Sequence, residues 1–468
     1  MKLKDKKTAQ WAVLPYNASR KKDFYIVSTT LGSWSILYDE DFKNFQRLKI
    51  SEGSNLFNRL KKNGVIITQD NISKVLDDYR NTNSHLFTDA SLFIVVVTNK
   101  CNLKCRYCQT HVEKPQDMSL EVARRSLDIA LASRNKTGTI EFQGGEPLLN
   151  WPVIEYLTEH SKKFNGDTKT LHVNLVTNGL LLDNRKINFL KKHNVSICVS
   201  LDGPKNIHDK NRVMNNLHPK GSYNGTVKAL KLLKSKKYKH INMLPTITRH
   251  SLRYYKEIID EYVNRGENTI ALRPVNRLGI AKGNWNELGY TPDEFKGFWS
   301  KSMDYILKLN KRGTYVKERM ACVMLEKILR KTDPGYVDLS SPCGAGRSTL
   351  AFDPSGDVYP CDEARMLGDD IFKLGNVLKD SYSQLMSSPN LFYTCQSSML
   401  DIWDYASAYK PWSGTCPVLN YYYQQTPVAK IHTSPLYNII NFQFDYIFDK
   451  IDKDKAAEAT FKKWVGIG

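Results

Sequence analysis

The sequence predicts an α/β protein in which six parallel βα units form a partial barrel or a doubly wound sheet. A small mixed module precedes these units and a loop-rich extension follows them. Three observations carry this expectation. From Leu92 to about Val275, short strands rich in Val, Ile and Leu alternate with helical stretches of about 10 to 16 residues. From about residue 10 to 85 the pattern is short and mixed, and after about residue 300 the regular alternation fades.

In the first stretch, Asp23–Ser28 and Ser33–Tyr38 read as strands, Asp41–Gln46 and Ser54–Lys62 as helices, and Gly64–Thr68 as another strand. Helices alternating with a small β-ribbon suggest a compact winged-helix-like module over residues 1–88, able to hold a peptide strand or a nucleic acid. In the second, residues 89–300, the expected strands are Leu92–Val97, Thr139–Phe142, Leu171–Val176, Val195–Ser200, Ile241–Thr246 and Thr269–Arg273. Between them the pattern predicts helices near Leu120–Arg134, Pro152–Phe164, Asp183–His193, Gly225–Ser235 and Leu252–Arg265. In a partial barrel and in a doubly wound sheet alike, loops at the carboxyl ends of the strands build the active site. Residues 301–438 are dominated by Gly, Pro, Tyr and scattered Cys, as in a segment organised by metal rather than by a large core. In 439–468 helical character returns: Ile439–Ile451 is apolar and aromatic on one face, and polar Asp452–Lys455 follows.

The chain has 468 residues, enough for two or three domains, and its 41% hydrophobic, 11% aromatic and 25% charged residues are ordinary globular usage. Long disorder and fibrous architectures are thereby excluded. The longest apolar run, Leu92–Val97, is far short of the roughly 20 residues that cross a bilayer. The basic start has no apolar stretch of signal-peptide length behind it, so the expected location is the cytoplasm. With 68 Lys and Arg against 48 Asp and Glu, the net charge is +20. Such an excess favours acidic partners, but its densest cluster, Lys228–Lys239, reads as a solvated helix face more readily than as a nucleic-acid surface.

Nine cysteines are too few for a disulfide framework in a chain of this length, which turns attention to ligands and catalysis. Directly after the first parallel strand comes Cys101-Asn-Leu-Lys-Cys105-Arg-Tyr-Cys108. Three thiolates at spacings of four and three residues can wrap three corners of an iron–sulfur cube and leave one iron open. A three-cysteine zinc site or chance clustering are the alternatives.

This segment resembles the radical S-adenosylmethionine (SAM) enzymes, whose Cys-x3-Cys-x-aromatic-Cys loop follows the first barrel strand. Tyr107 stands at the aromatic position. Further motifs of the family occur in order: Gly144-Gly145-Glu146-Pro147 ends the second strand, Thr177-Asn178-Gly179 the third, and Ser200-Leu-Asp202-Gly203-Pro204 the fourth, followed by His208-Asp209 and Arg212. The resemblance implies a partial (β/α)6 TIM-type barrel. It also implies a [4Fe-4S] cluster on Cys101, Cys105 and Cys108, with S-adenosyl-L-methionine bound by Tyr107, Gly144, Gly145, Glu146, Asn178, Ser200, Asp202 and Arg212. Ser200 and Arg212 would take the methionine carboxylate, and the Gly-rich backbone with the Glu146 region its amino group. Cys198 is expected to be a buried core thiol.

The later stretch resembles the SPASM extension of peptide-modifying radical enzymes, in which seven cysteines bind two auxiliary clusters. Cys343 and Gly356-Asp-Val-Tyr-Pro-Cys361 fit its opening elements. Where four further cysteines would follow, the chain has Asp404, Ser407, Ser413 and Cys416, and no Cys lies beyond. The resemblance assigns the lost ligands to the outer cluster and Cys343, Cys361 and Cys416 to the inner one. One auxiliary cluster is therefore expected, its fourth position supplied by Cys395, another residue or substrate; three free buried thiols are the alternative. Asp362, next to Cys361, corresponds to an Asp that accepts a proton in the sulfatase-maturating branch, or it makes a structural hydrogen bond.

The strongest overall resemblance is to the radical maturases of His-Xaa-Ser peptide systems. It rests on Leu14-Pro-Tyr-Asn17, Cys105-Arg-Tyr-Cys-Gln109, Pro360–Leu367 and Leu374-Gly-Asn-Val377, and spans about residues 11–450. It implies a cytoplasmic enzyme that generates a 5′-deoxyadenosyl radical and abstracts hydrogen from a ribosomally synthesised precursor peptide. The outcome would be crosslinking or side-chain oxidation, with the N-terminal module pairing a leader peptide as an added strand. The implied partners are that peptide, a reductant such as flavodoxin or ferredoxin, and a second maturase; a membrane and nucleic acid are not among them. The rivals are an RNA-modifying radical SAM enzyme and a non-catalytic, peptide-binding partner subunit.

Overall fold

The computed structural model describes residues 11–84, 88–110, 114–163, 169–214, 221–400, 407–428 and 434–467. Asp404 and the basic start of the chain lie outside the described residues.

The N-terminal module contains β1 (Trp11–Val13), β2 (Tyr16–Arg20), β3 (Tyr25–Thr29), β4 (Trp34–Leu37), α1 (Asp39–Gln46), α2 (Asn55–Lys62), β5 (Ile66–Thr68) and α3 (Ile72–Thr82). β2, β3 and β4 form an antiparallel sheet, and β1 pairs antiparallel with β5. The sequence reading missed β1, β2 and α3. A core of Val27, Leu37, Phe42, Phe45, Phe57, Leu60, Val65 and Ile66 holds the module together, with Tyr25 stacked on Phe42 at 3.8 Å between centroids.

The central units run β6 (Leu92–Thr98), α4 (Leu120–Ala132), β7 (Thr137–Gly144), α5 (Trp151–Lys163), β8 (Thr170–Thr177), α6 (Asn184–Lys192), β9 (Ser196–Ser200), α7 (Lys205–Asn211), α8 (Tyr223–Ser235) and β10 (Ile241–Leu244). Helix starts follow local chemistry: Ser119 and Asp183 each accept a main-chain N–H in the first turn of α4 and α6. β6 to β10 pair in parallel in chain order, so five of the six expected strands form one continuous sheet. The fifth of these ends at Leu244, before Pro245, which has no N–H to give the ladder, and β11 (Thr246–Ile247) follows; after α9 (Tyr255–Asn264) the sixth expected strand is split into β12 (Thr269–Ile270) and β13 (Arg273–Pro274). β11 pairs with β13 in parallel.

Past this point the structure is more regular than the sequence suggests. α10 (Ile280–Gly283) and α11 (Trp285–Leu288) lead into the 20-residue α12 (Pro292–Lys311), opened by a reciprocal cap between Thr291 and Glu294 with Pro292 at its start. β14 (Lys317–Glu318), which pairs with β12, and α13 (Arg319–Leu325) follow. β15 (Thr349–Phe352) then enters the central sheet beside β6, parallel to it, and β16 (Asp357–Tyr359), α14 (Asp362–Leu367) and β17 (Gly375–Asn376) come next, the two strands extending the sheet antiparallel. The cysteine-bearing extension is thus built partly on the sheet and not on metal alone. β6 is covered on both sides: Phe93, Val95 and Val97 face the helices, and Ile94 and Val96 pack with Cys343, Ala351, Tyr359 and Cys361. Two buried faces explain its unbroken apolar run.

The chain ends with α15 (Tyr382–Met386), α16 (Pro389–Ser397), α17 (Pro417–Gln424), α18 (Pro435–Lys453) and α19 (Lys455–Trp464). α18 packs on α12 and receives the N-terminal module: Trp34 meets Phe448 edge-on at 5.0 Å, and Lys21 pairs with Asp445 at 2.5 Å. Among the described residues no helix is long and apolar enough to cross a membrane.

Candidate active site and a second cysteine cavity

The loops at the carboxyl ends of β6 to β9 converge as the alternation predicts. Cys101, Cys105, Tyr107, Cys108, Gly144, Gly145, Asn178, Ser200 and Arg212 all line one cavity of about 180 Å³ that opens to solvent. Two of the expected SAM-binding residues do not line it. Glu146 is fully buried and accepts hydrogen bonds from the Thr177 hydroxyl (2.7 Å) and from the main-chain N–H of Asn178 (2.8 Å) and Leu148 (3.1 Å), bracing the end of β7 against that of β8. Burial raises its pKa against the opposing effect of these donors. Asp202, also fully buried, collects the Tyr107 hydroxyl (2.9 Å), Arg212 Nε (3.1 Å), Asn211 Nδ2 (3.2 Å) and the Thr246 N–H (3.1 Å). Both carboxylates thus spend their oxygens on neighbouring loops rather than facing the cavity.

The cysteine loop is fixed by its neighbours' backbone. Lys104 and Arg106 donate their N–H groups to the carbonyls of Val213 (2.7 Å) and Asn211 (2.9 Å), so the triplet and Arg212 share one frame. The two glycines of the second motif are needed for a different reason than ligand approach alone. A Cβ on Gly144 would meet the Thr98 carbonyl oxygen at 2.2 Å, and one on Gly145 the Lys100 carbonyl oxygen at 2.3 Å. At Gly279, φ +54°, a Cβ would meet the Cys108 and Gln109 carbonyl oxygens at 2.6 and 2.8 Å. Beyond it Ala281 and Leu288 pack with Tyr107, and Glu287 pairs with Arg106, closing one side of the loop.

Electrostatics follow from this burial. It pushes the thiols of Cys101 and Cys105 up to about 12, so thiolates there need a cationic partner, which bound iron would supply and Arg212 would assist. Arg212 itself loses solvent, yet Asp202 holds it charged, 5.3 Å from the Tyr107 ring centroid. His208, fully buried, is pushed down to about 4 by desolvation and is neutral at physiological pH. Its Nδ1 accepts the Asp202 N–H (3.3 Å), so Nε2 carries the proton towards Ser222 Oγ (2.9 Å), which donates to the Arg212 carbonyl.

The residues present fit a cluster better than a single ion. Among the described residues no three His, Cys, Asp or Glu side chains are grouped to hold one metal ion, yet the three thiols share one cavity, as corners of a cube require. The Leu103 N–H points at Cys101 Sγ (3.3 Å), a donor suited to a ligating sulfur.

A second, much tighter cavity, of about 10 Å³, is lined by Cys343, Cys361 and Cys416 together with Glu363, Ser340 and Thr415. The three residues expected to share a site do so, although they come from three separate segments. Cys361 is buried and pushed well above its ordinary range, first by desolvation and next by the Glu363 charge. The two other residues expected there are turned to other tasks. Cys395 directs its thiol to the Ala345 carbonyl (3.6 Å). Asp362 accepts from Arg365 Nε (2.8 Å), and neither residue is among those that line the two cavities.

Several lining residues were missed from sequence: Gln143, Thr246, Arg273, Pro274 and Met366 in the first cavity and Glu363 in the second. Arg273-Pro274 could have been found, because it ends the sixth expected strand on the active-site side. Met366 and Glu363 carry no local signal. Cys198 also differs from expectation: half-buried, it lies on the Ser200 face of β9 and lines a third cavity with Asn242, Lys317, Arg319 and Cys322.

Comparison with known proteins agrees with this geometry. Residues 95–262 match the Radical SAM superfamily and residues 343–417 the SPASM iron-sulfur cluster-binding domain. The chain is 26% identical over 354 residues to the radical SAM cyclopropyl synthase TigE of Paramaledivibacter caminithermalis, covering 70% of each protein. It is 29% identical over 317 residues to a cysteine-type anaerobic sulfatase-maturating enzyme of Clostridium perfringens, covering 65% of this chain and 80% of that protein. The solved structure of native anSMEcpe with bound AdoMet and the Kp18Cys peptide superposes with a TM-score of 0.64 at 23% identity, over 79% of this chain and 99% of that one, which shows the shared fold. The chain thus carries a radical SAM domain, which implies a [4Fe-4S] cluster and S-adenosyl-L-methionine, joined to a SPASM domain, and it is an enzyme.

Proposed function

We propose that this enzyme modifies a ribosomally made precursor peptide, abstracting hydrogen from a side chain and leaving a crosslinked or oxidised product. The observation that carries the reading is the open cavity where the cysteine triplet, Asn178, Ser200 and Arg212 converge at the carboxyl ends of the barrel strands. Similarity to a sulfatase-maturating enzyme and a cyclopropyl synthase, and to a fold solved with a peptide bound, supports a peptide substrate. Cys101, Cys105 and Cys108 would hold the cluster, which together with bound SAM would supply the radical chemistry for hydrogen abstraction. The chain's own residues bind and aim. Arg212 offers its guanidinium to the methionine carboxylate with Ser200 beside it, while Asp202 and Tyr107 keep that guanidinium charged and oriented. The Gly144–Gly145 backbone forms the cavity wall on the β7 side.

In the same reading Cys343, Cys361 and Cys416 hold one auxiliary cluster. The leader segment docks on the N-terminal module, whose three helices and three-stranded sheet favour the winged-helix-like reading; β2 and β4 are that sheet's edges. A maturase of the His-Xaa-Ser type is the finer assignment, and the Leu14–Asn17 and Pro360–Leu367 segments favour it. Asp362, held by Arg365, is assigned to positioning α14. Co-expression with the short open reading frames beside the gene, followed by mass spectrometry, tests the proposal. Loss of two hydrogens from one of the peptides is the expected result. Peptides unchanged in mass and retention, with RNA co-purifying in a salt-dependent manner, would overturn it.

A further inference from the structure

We propose that Glu363 supplies the fourth donor of the second cavity, completing with Cys343, Cys361 and Cys416 an iron–sulfur site of three sulfurs and one carboxylate oxygen. This rests on the reading that the three cysteines hold an auxiliary cluster. The retained cysteines leave a cube one ligand short, and the structure shows which side chain faces the same space. Among the described residues lining the cavity, Glu363 is the one carboxylate. Three other candidate donors make contacts elsewhere. The Cys395 thiol turns to the Ala345 carbonyl, the Asp362 carboxylate to Arg365, and the Ser340 hydroxyl donates to the Tyr336 carbonyl at 3.1 Å. Local geometry makes the assignment feasible: Cys361 caps α14, and Glu363 lies in its first turn, so both ligands leave one rigid element.

Glu363 has a second contact that gives its position meaning. Its carboxylate lies 3.7 Å from the Arg273 guanidinium, and Arg273 lines the first cavity. The fourth ligand of one site therefore touches the wall of the other. A carboxylate oxygen donates less electron density to iron than a thiolate does, so the cluster should be easier to reduce than its all-sulfur counterpart, as when imidazole replaces thiolate. Being weaker, it is also the ligand most readily exchanged for a donor from a substrate.

The test uses the full chain with Cys101, Cys105 and Cys108 changed to Ser, prepared without oxygen, so that only the second site can hold iron. About four irons per chain should remain. Mössbauer spectra of that protein should show one iron distinct from the other three, and Glu363→Cys should abolish the distinction and lower the midpoint potential. Glu363→Ala should let added imidazole change the electron paramagnetic resonance signal, which it should not do with Glu363 present. Glu363→Gln provides a further comparison should the alanine variant fold poorly by circular dichroism. If iron is retained and the spectra and potential are the same with Glu, Cys, Ala or Gln at 363, the ligand assignment falls while the auxiliary cluster stands. If the triple-Ser protein retains no iron, the cluster reading fails and takes the proposal with it.

Discussion

The two cysteine sites differ in how they are made. The triplet of the barrel mouth is a single eight-residue loop, held by the backbone of residues 211–214 and open to solvent. The second set is gathered from positions 343, 361 and 416 into a smaller cavity under β6 and β15. A local loop can be read from spacing, and it leaves one side free for ligand. A site assembled over 70 residues depends on the sheet that brings its segments together, and it is correspondingly enclosed.

Breaking each site separately should expose the contrast. Cys105→Ala should abolish 5′-deoxyadenosine formation with dithionite and SAM, the largest effect, read by chromatography of the quenched reaction. Cys361→Ser should halve the iron, from about eight to about four per chain, when anaerobically purified protein is assayed. Arg212→Lys keeps the charge but loses the fork, and should weaken SAM binding by about 10- to 100-fold in calorimetric titration. Gly145→Ala must displace the Lys100 carbonyl, and should cost about 1–3 kcal/mol in denaturant unfolding as well as loosening the cluster loop.

The smallest effect is one of pH. His208 has a folded pKa near 4, below its ordinary 6.5, so below 6.5 the unfolded chain binds a proton that the folded chain refuses. Stability should thus fall between pH 6.5 and 4, by up to roughly 3 kcal/mol from this residue. Asp202 and Asp209 oppose the shift, while Arg212 and Lys205 reinforce it. His208→Gln should flatten the pH dependence of the melting temperature over that window.

Legibility from sequence follows the same division. Of the parallel strands, β6 was readable because both of its faces are buried and its apolar run is continuous, β7, β8 and β9 because they bury every second residue, and the glycine motifs because each ends a strand. The polar side of the barrel was not, since Asp202 and Glu146 look like ligands in a linear motif yet spend their oxygens on main-chain and side-chain donors. α12 was missed because it falls where the regular alternation ends and packs on α18, far away in sequence, whereas α18 itself was legible over Ile439–Ile451. Glu363 was passed over for Asp362, one residue away; on a helix that step turns a side chain by about 100°, enough to exchange Arg365 for the cavity.

The pairing of β15 with β6 carries an evolutionary and practical consequence. Removing everything after residue 340 would strip the ladder partner from the first barrel strand, baring a row of unsatisfied amides and carbonyls beside Ile94 and Val96. Such a fragment should self-associate through that edge. The extension is therefore no detachable accessory, and exchange between relatives would have to carry barrel and extension across together.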